Sequence, residues 1–251
     1  MPTHENHLIE SLGRHERTRL LERCERVDLV LSEVICERHA RTRHVYFPTS
    51  GFISLVIEAD GRPGLEVGMV GREGMLGAEL LLGQTATPWR AVVQGAGTAW
   101  RLQASLLHQV LPESPALRQL LGRYLAFRVE QLTLGAVCER FHEIGPRLAR
   151  WLLMSQDRAQ SDTFHVTHEF LAFMLGVRRV GVTVAASELQ RLGLIVYRRG
   201  ELTVLDREAL QAKACSCYQS NQRMYALLLM TGNQGPGHRA DQANGAMQHG
   251  Q

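Results

Sequence analysis

Apolar positions change their period several times along the chain, and each change marks a change of element. Between residues 8 and 25, Leu8, Leu12, Leu20, Leu21 and Cys24 fall on one side of a short amphipathic helix. From Val27 to Leu102 the texture turns to short β-rich runs between glycines: Val45-Tyr46-Phe47, Phe52 to Ile57, Leu65 to Val70 and Ala91-Val92-Val93. Asp60-Gly61 lies between two of these runs and predicts a hairpin turn. Closely spaced strands with such turns predict an antiparallel barrel or jelly roll. Gly74 to Leu82 interrupts the pattern with one or two helical turns.

Pro115 opens a long helix. Along it Leu117, Leu120, Tyr124, Phe127, Gln131, Leu134, Cys138 and Phe141 recur in alternating steps of three and four, the spacing of a coiled-coil seam. The strict alternation, with Gln131 as a single polar position, favours a self-associating helix over one packed on its own domain. Gly145-Pro146 stops or restarts the chain after it, because proline lacks the amide donor that a helix interior needs. A helix resumes over residues 147–157, and Asp162 to Val166 is a short strand-like stretch. The run from Thr231 to Gln251 is rich in Gly, Gln, Asn and Ala without apolar period, which predicts a disordered tail.

Residues 167–190 hold the most informative pattern. Thr167 is placed to cap a helix whose apolar face is Phe170, Leu171 and Met174. Gly176 permits the left-handed turn that joins two helices steeply. The second helix turns Val182, Ala185, Ala186 and Leu189 inward and leaves Arg178, Arg179 and Thr183 outside near its N-terminus. Arginine there can fork onto guanine, and threonine can meet a base edge or a thymine methyl, so these three are candidate base readers. Two β runs around Arg199-Gly200 predict a hairpin wing whose Arg198 and Arg199 would lie on phosphates, with Thr167 and His168 as further phosphate contacts.

Charge adds direction to that reading. The net charge is only +3, yet residues 1–116 carry 12 Arg against 14 Asp and Glu, while residues 147–213 carry 10 Lys and Arg against 7 acids. An acidic partner is therefore expected at the C-terminal part. The polar N-terminus and the lack of a long uncharged apolar run predict a cytoplasmic protein with no membrane partner. Cys24, Cys36, Cys138, Cys215 and Cys217 are too scattered for a disulfide framework, and Cys215-x-Cys217 lacks a second pair for a structural zinc site, so no metal is expected. Catalytic signatures such as a Walker loop, G-x-S-x-G or HExxH are absent, and His165-x-x-His168 has no third ligand. The chain does not read as an enzyme.

The stretches Val45-Tyr46-Phe47-Pro48 to Leu55, Glu66-Val67-Gly68 to Gly77, and Leu175-Gly176-Val177-Arg178-Arg179 to Thr183 resemble the Crp/Fnr family of bacterial regulators. That resemblance implies an α+β architecture. Residues 1–115 would be an N-terminal antiparallel, jelly-roll-type β-roll of the cyclic-nucleotide-binding kind, and 116–142 a long dimerisation helix. Residues 143–218 would be a C-terminal winged helix-turn-helix, and 219–251 the end of a helix with a disordered tail. It also implies a homodimer on palindromic double-stranded DNA, with RNA polymerase as a further partner. In cyclic-AMP-binding members a Gly-Glu pair and a later Arg-Ser hold the nucleotide. The matching places here resemble Ala78-Glu79 and Trp89-Arg90, with Leu132 and Thr133 at the base. Glu79 suits a ribose hydroxyl, but Trp89 stands where the phosphate arginine would be, which argues against cyclic AMP. Cys24 and Cys36 cannot supply the four ligands of an iron–sulfur cluster, and Cys36-Glu37-Arg38-His39 is a weak signature for haem. The competing function is a ligand-sensing or protein-docking module that has lost DNA binding.

Overall fold

The structure is a computed structural model, and it describes residues 5–58 and 64–230. The Asp60-Gly61 turn and the Thr231 to Gln251 tail lie outside the described residues. The N-terminal amphipathic segment forms two helices, α1 (His7–Glu10) and α2 (Arg14–Leu21), parted at Gly13. Asn6 caps α1 by accepting from the amides of Leu8 and Ile9. Strands β1 (Glu25–Leu29), β2 (Val34–Cys36), β3 (His44–Ile57), β4 (Leu65–Val70) and β5 (Arg90–Gln103) follow. They pair antiparallel in the order β1-β5-β3-β4, and β2 also joins β5. The β3–β5 register shifts three times between Pro48 and Ile53, and those irregularities let one 14-residue strand bend into a roll. At Gly51, with φ of 69°, a Cβ would meet the Gly95 carbonyl at 2.3 Å, so the bend requires glycine there. A 3-10 turn at Ala78–Leu82 accounts for the interruption after Gly74.

Helix α3 (Ala104–Glu113) leads into α4 (Pro115–Phe141), where the Ser114 hydroxyl accepts from the Leu117 amide and Pro115 takes the first turn. Helix α5 (Ile144–Ala159) restarts with Pro146 in its own first turn, where a missing amide costs nothing. Then come β6 (Thr163–His165), α6 (His168–Met174), α7 (Arg179–Arg191), β7 (Ile195–Arg198), β8 (Glu201–Val204), α8 (Arg207–Lys213) and α9 (Cys217–Met230). Strands β6, β8 and β7 form a second antiparallel sheet in that order.

The seam read on α4 is its inner face, which corrects the self-association expected of it. Leu117, Leu120, Tyr124, Phe127 and Cys138 are all buried inside the single chain. The N-terminal half of the row packs on α1, α2, α3 and the roll through Leu8, Phe47, Met75 and Leu107. The C-terminal half is covered by α9, which runs antiparallel along α4. Cys217 lies by Leu134 and Cys138, Asn221 bonds Gln131 at 2.8 Å, and Tyr225 meets Phe127 at a ring distance of 6.2 Å. Gln131, the polar position read as part of a dimer seam, thus serves an intrachain bond. Only Phe141, at 72% exposed, stands outside this packing. Periodicity identified an apolar face but could not tell which helix would cover it. The opposite face of α4 is open, with Gly122, Ala126, Val129, Thr133, Ala136 and Arg140 following one another in steps of four and three. Val129 is 63% exposed, and Leu132 and Val137 beside this row are also exposed.

The β-roll and the C-terminal elements share one core. Phe52, Val56 and Met69 of the roll pack with Trp151, Leu152, Leu171 and Val182. Two polar bridges reinforce the contact. Arg158 of α5 donates to Glu73 at 2.7 Å, and both are largely buried. The Trp151 indole donates to Glu66 of β4 at 3.0 Å, and the Ser54 hydroxyl donates to its other oxygen. Burial pushes the Glu66 carboxyl up to about 7, against the pull of those two bonds and of Arg158 and Arg150.

Candidate nucleic-acid interface

Helix α6 starts where the Thr167 hydroxyl accepts from the Phe170 amide at 3.1 Å. It ends at Leu175, and Gly176, with φ of 62°, turns the chain so that α6 and α7 are bent by 111°. That is the steep angle of a helix-turn-helix. Gly176 has little choice of side chain, since a Cβ there would stand 2.9 Å from Leu65. Arg178 takes the cap position of α7 in an extended conformation and makes no cap bond with its side chain. The first-turn amides of α7 and two arginines therefore meet at one mouth, an arrangement that attracts anions.

Val182, Ala185, Ala186 and Leu189 are buried as expected. Arg178, Arg179 and Thr183 are exposed, and Arg179, Thr183 and Ser187 follow one another by one turn on the outer face. Ser187 was not singled out by sequence, although its i+4 spacing from Thr183 would have placed it there. The wing is a two-residue hairpin whose central residues, Arg199 and Gly200, both have positive φ, 50° and 85°. This turn type matches strand twist and throws the Arg199 side chain to the tip. Arg198 is exposed too, but it stands opposite Glu201 in the β7–β8 register. Among the described residues no ion pair engages Arg178, Arg179, Arg198 or Arg199, whereas Arg191 is held by Glu188.

Between helix and wing sits a cluster the sequence only partly foretold. The His168 Nδ1 lies 3.0 Å from the Thr183 hydroxyl, and its ring stacks on Tyr197 at 4.5 Å. The Tyr197 amide donates to Gln190 on α7 at 2.9 Å, which ties the wing to the helix. Burial and then the charge of Arg179 hold the His168 pKa below 6.5. Tyr197 and Gln190 were missed because a contact between helix and wing leaves no periodic trace.

The residues expected around an effector do not converge. Glu79 is buried in the roll, with its carboxyl raised chiefly by burial and one oxygen lacking a partner. It borders a cavity of about 360 Å³ with Cys36, Arg41, His44 and Thr87. Arg90 instead pairs with Glu37 at 3.4 Å, Trp89 lies 6.0 Å from the Arg128 guanidinium, and Thr133 bonds the Val129 carbonyl on the exposed side of α4. Leu132 borders a different hollow, beside Gly68 and Trp151. A cyclic phosphate calls for an unpaired cation and amide donors. The cassette positions present a carboxylate, an indole and an already paired arginine, so they do not fit one.

The reading of the cysteines as scattered thiols also fails in part. Cys138, His142, Cys215 and Cys217 come together in space, with their donor atoms all within 4.8 Å of one another. The sequence signal was a Cys-x-x-x-His step at the end of α4 together with Cys-x-Cys, separated by more than 70 residues.

Residues 146–213 match the Crp-like helix-turn-helix domain family. No curated protein matches the chain. Among solved structures it is similar to FixK2 from Bradyrhizobium japonicum, at TM-score 0.65 and 14% identity over 77% of this chain and 98% of that one. The c-di-GMP-responsive regulator CLP of Xanthomonas campestris is similar at TM-score 0.63 and 18% identity over 77% and 100%. A CRP-family transcriptional regulator from Thermus thermophilus is similar at TM-score 0.61 and 24% identity over 75% and 96%. These likenesses show the shared fold of β-roll, long helix and helix-turn-helix. Among the described residues no single helix is long and apolar enough to cross a membrane.

Proposed function

We propose that this chain, a Crp/Fnr-type regulator by its helix-turn-helix domain and its fold, reads sequence in double-stranded DNA as a homodimer and so regulates transcription. The observation that carries the reading is the set of four exposed arginines around the mouth of α7 and the wing that have no ion pair among the described residues. Arg179, one turn below Thr183 on the outer face, is the base reader, and its fork suits guanine O6 and N7. Arg178 and Arg199, with Thr167 and His168 at the start of α6, hold phosphates; Arg198, opposite Glu201, does so more weakly. Two copies meet across the open face of α4 around Ala126, Val129, Thr133 and Ala136, where small and apolar side chains recur at coiled-coil spacing. A two-fold pair presents its recognition helices to half-sites about 34 Å apart. Any effector of the β-roll is something other than cyclic AMP, and RNA polymerase is the partner such a regulator meets beside its operator. Fluorescence anisotropy with duplex DNA across a salt series tests the reading. The logarithm of affinity should fall linearly with that of salt, with a slope near −0.9 per phosphate contact. Absent or salt-independent binding would favour a docking module without DNA function.

A further inference from the structure

Four side chains that could ligate a metal converge where α4 meets the DNA-binding domain. Cys138 sits on the last turn of α4 and His142 at its C-terminal cap, where the His142 amide donates back to the Cys138 carbonyl at 3.1 Å. That closure returns the imidazole towards the thiol four residues earlier. Cys215 comes from the connection between α8 and α9, anchored by its amide on the Pro146 carbonyl at 3.3 Å, and Cys217 is the first residue of α9. Cys138 Sγ lies 3.5 Å from Cys215 Sγ, and His142 Nδ1 lies 3.6 Å from Cys217 Sγ. All three thiols are buried.

Buried thiols alone behave as small apolar groups, which would account for Cys138 and Cys215. It does not account for an imidazole nitrogen aimed at a third thiol inside the same cluster. Tetrahedral zinc with bonds of about 2.3 Å to sulfur and ~2.0–2.1 Å to nitrogen sets edges near 3.8 Å between sulfurs and near 3.6 Å between sulfur and nitrogen. The sulfur–nitrogen contact has that length and the sulfur–sulfur contact is about 0.3 Å shorter, and with every pair inside 4.8 Å no remaining edge has to close by more than about 1 Å.

We propose that Cys138, His142, Cys215 and Cys217 form a Cys3His site for a thiophilic divalent cation, Zn²⁺ by donor set, which clamps α4 to the DNA-binding domain. On binding, the three thiols release their protons to solvent and the imidazole coordinates as the neutral ring, which leaves one net negative charge. Arg150 of α5 lies close enough to act on all three sulfurs, and its Nε has no hydrogen-bond partner among the described residues, so it is available to offset that charge. The ligands straddle the α4–α5 junction and the connection leaving the domain. The metal therefore fixes the recognition helix relative to the open face of α4.

Protein purified under reducing conditions without chelator tests this by elemental analysis and by titration of the apoprotein with Co²⁺. The expected result is about one zinc per chain. Co²⁺ should give the visible bands of a tetrahedral thiolate complex. Cys138→Ser and Cys217→Ser should each abolish those bands, while Cys24→Ser and Cys36→Ser keep them. Circular dichroism establishes that each variant is folded. The wild-type titration decides the matter even where a ligand variant fails to fold. Folded wild-type protein that carries no metal and gives no tetrahedral Co²⁺ spectrum overturns the site, as does a Cys138–Cys215 disulfide found by mass spectrometry in the purified protein.

Discussion

Glu66 links the β-roll to the DNA-binding domain through a carboxyl that titrates near neutrality, so Glu66→Gln should reveal a pH-dependent contribution to stability. Its pKa rises from 4.5 to about 7, burial being the largest cause. A raised folded-state value means that the native protein holds this proton more tightly than the unfolded chain does. The stabilisation is complete below pH 4.5 and is lost as pH rises through 7. At ~1.4 kcal/mol per pKa unit the full effect is about 3 kcal/mol. Glu66 is only half-buried as a residue, so solvent screening reduces this to roughly 1–2 kcal/mol. Glutamine keeps an oxygen for the Trp151 indole, places its amide against the Ser54 hydroxyl, and has no proton to lose. The variant should match the wild type near pH 5 and exceed it at pH 8, by roughly 2–8 °C in Tm for a chain of this size. Thermal unfolding followed by circular dichroism across that range measures the difference between the two proteins, which cancels every other titrating group. A difference that does not change with pH, or a variant less stable at pH 8, would refute the reasoning.

On α4, Val129→Lys with Ala136→Lys should give folded monomers by light scattering, because both side chains are exposed in the single chain. Leu120→Lys should instead unfold the protein, since it places a charge in the core between α4, the roll and the N-terminal helices. The affinity for DNA should rise as pH falls towards the depressed pKa of His168, because a phosphate beside the ring raises a pKa that the free protein holds down. His168→Gln should remove the rise in an anisotropy titration.

The helix-turn-helix was legible because its signals are local: a cap at Thr167, a positive-φ glycine at Gly176 and a 3.6-residue period through Val182, Ala185 and Leu189. The order of roll, long helix and wing followed from the change of hydrophobic period. What stayed hidden depends on contacts between distant segments. The apolar row on α4 was correctly seen, but the cover of its C-terminal half, α9, starts about 76 residues beyond the end of α4, and periodicity carries no information on partners. The Cys138–Cys215 contact spans 77 residues for the same reason. At the nucleotide positions carried over by resemblance, the sequence could not show that Arg90 lies by Glu37 and Trp89 by Arg128, which are again contacts between distant segments.

The division of labour between α7 and the wing is tested most directly by selecting binding sites from randomised duplexes with wild type, Arg179→Ala and Arg199→Ala. Arg179→Ala should relax preference at one base pair per half-site and cost roughly 1–3 kcal/mol there. Arg199→Ala should leave the selected sequence unchanged, weaken binding to all duplexes alike and reduce the salt slope by about one unit. An Arg179→Ala protein that selects the wild-type sequence, while the wing variant loses it, would contradict the account.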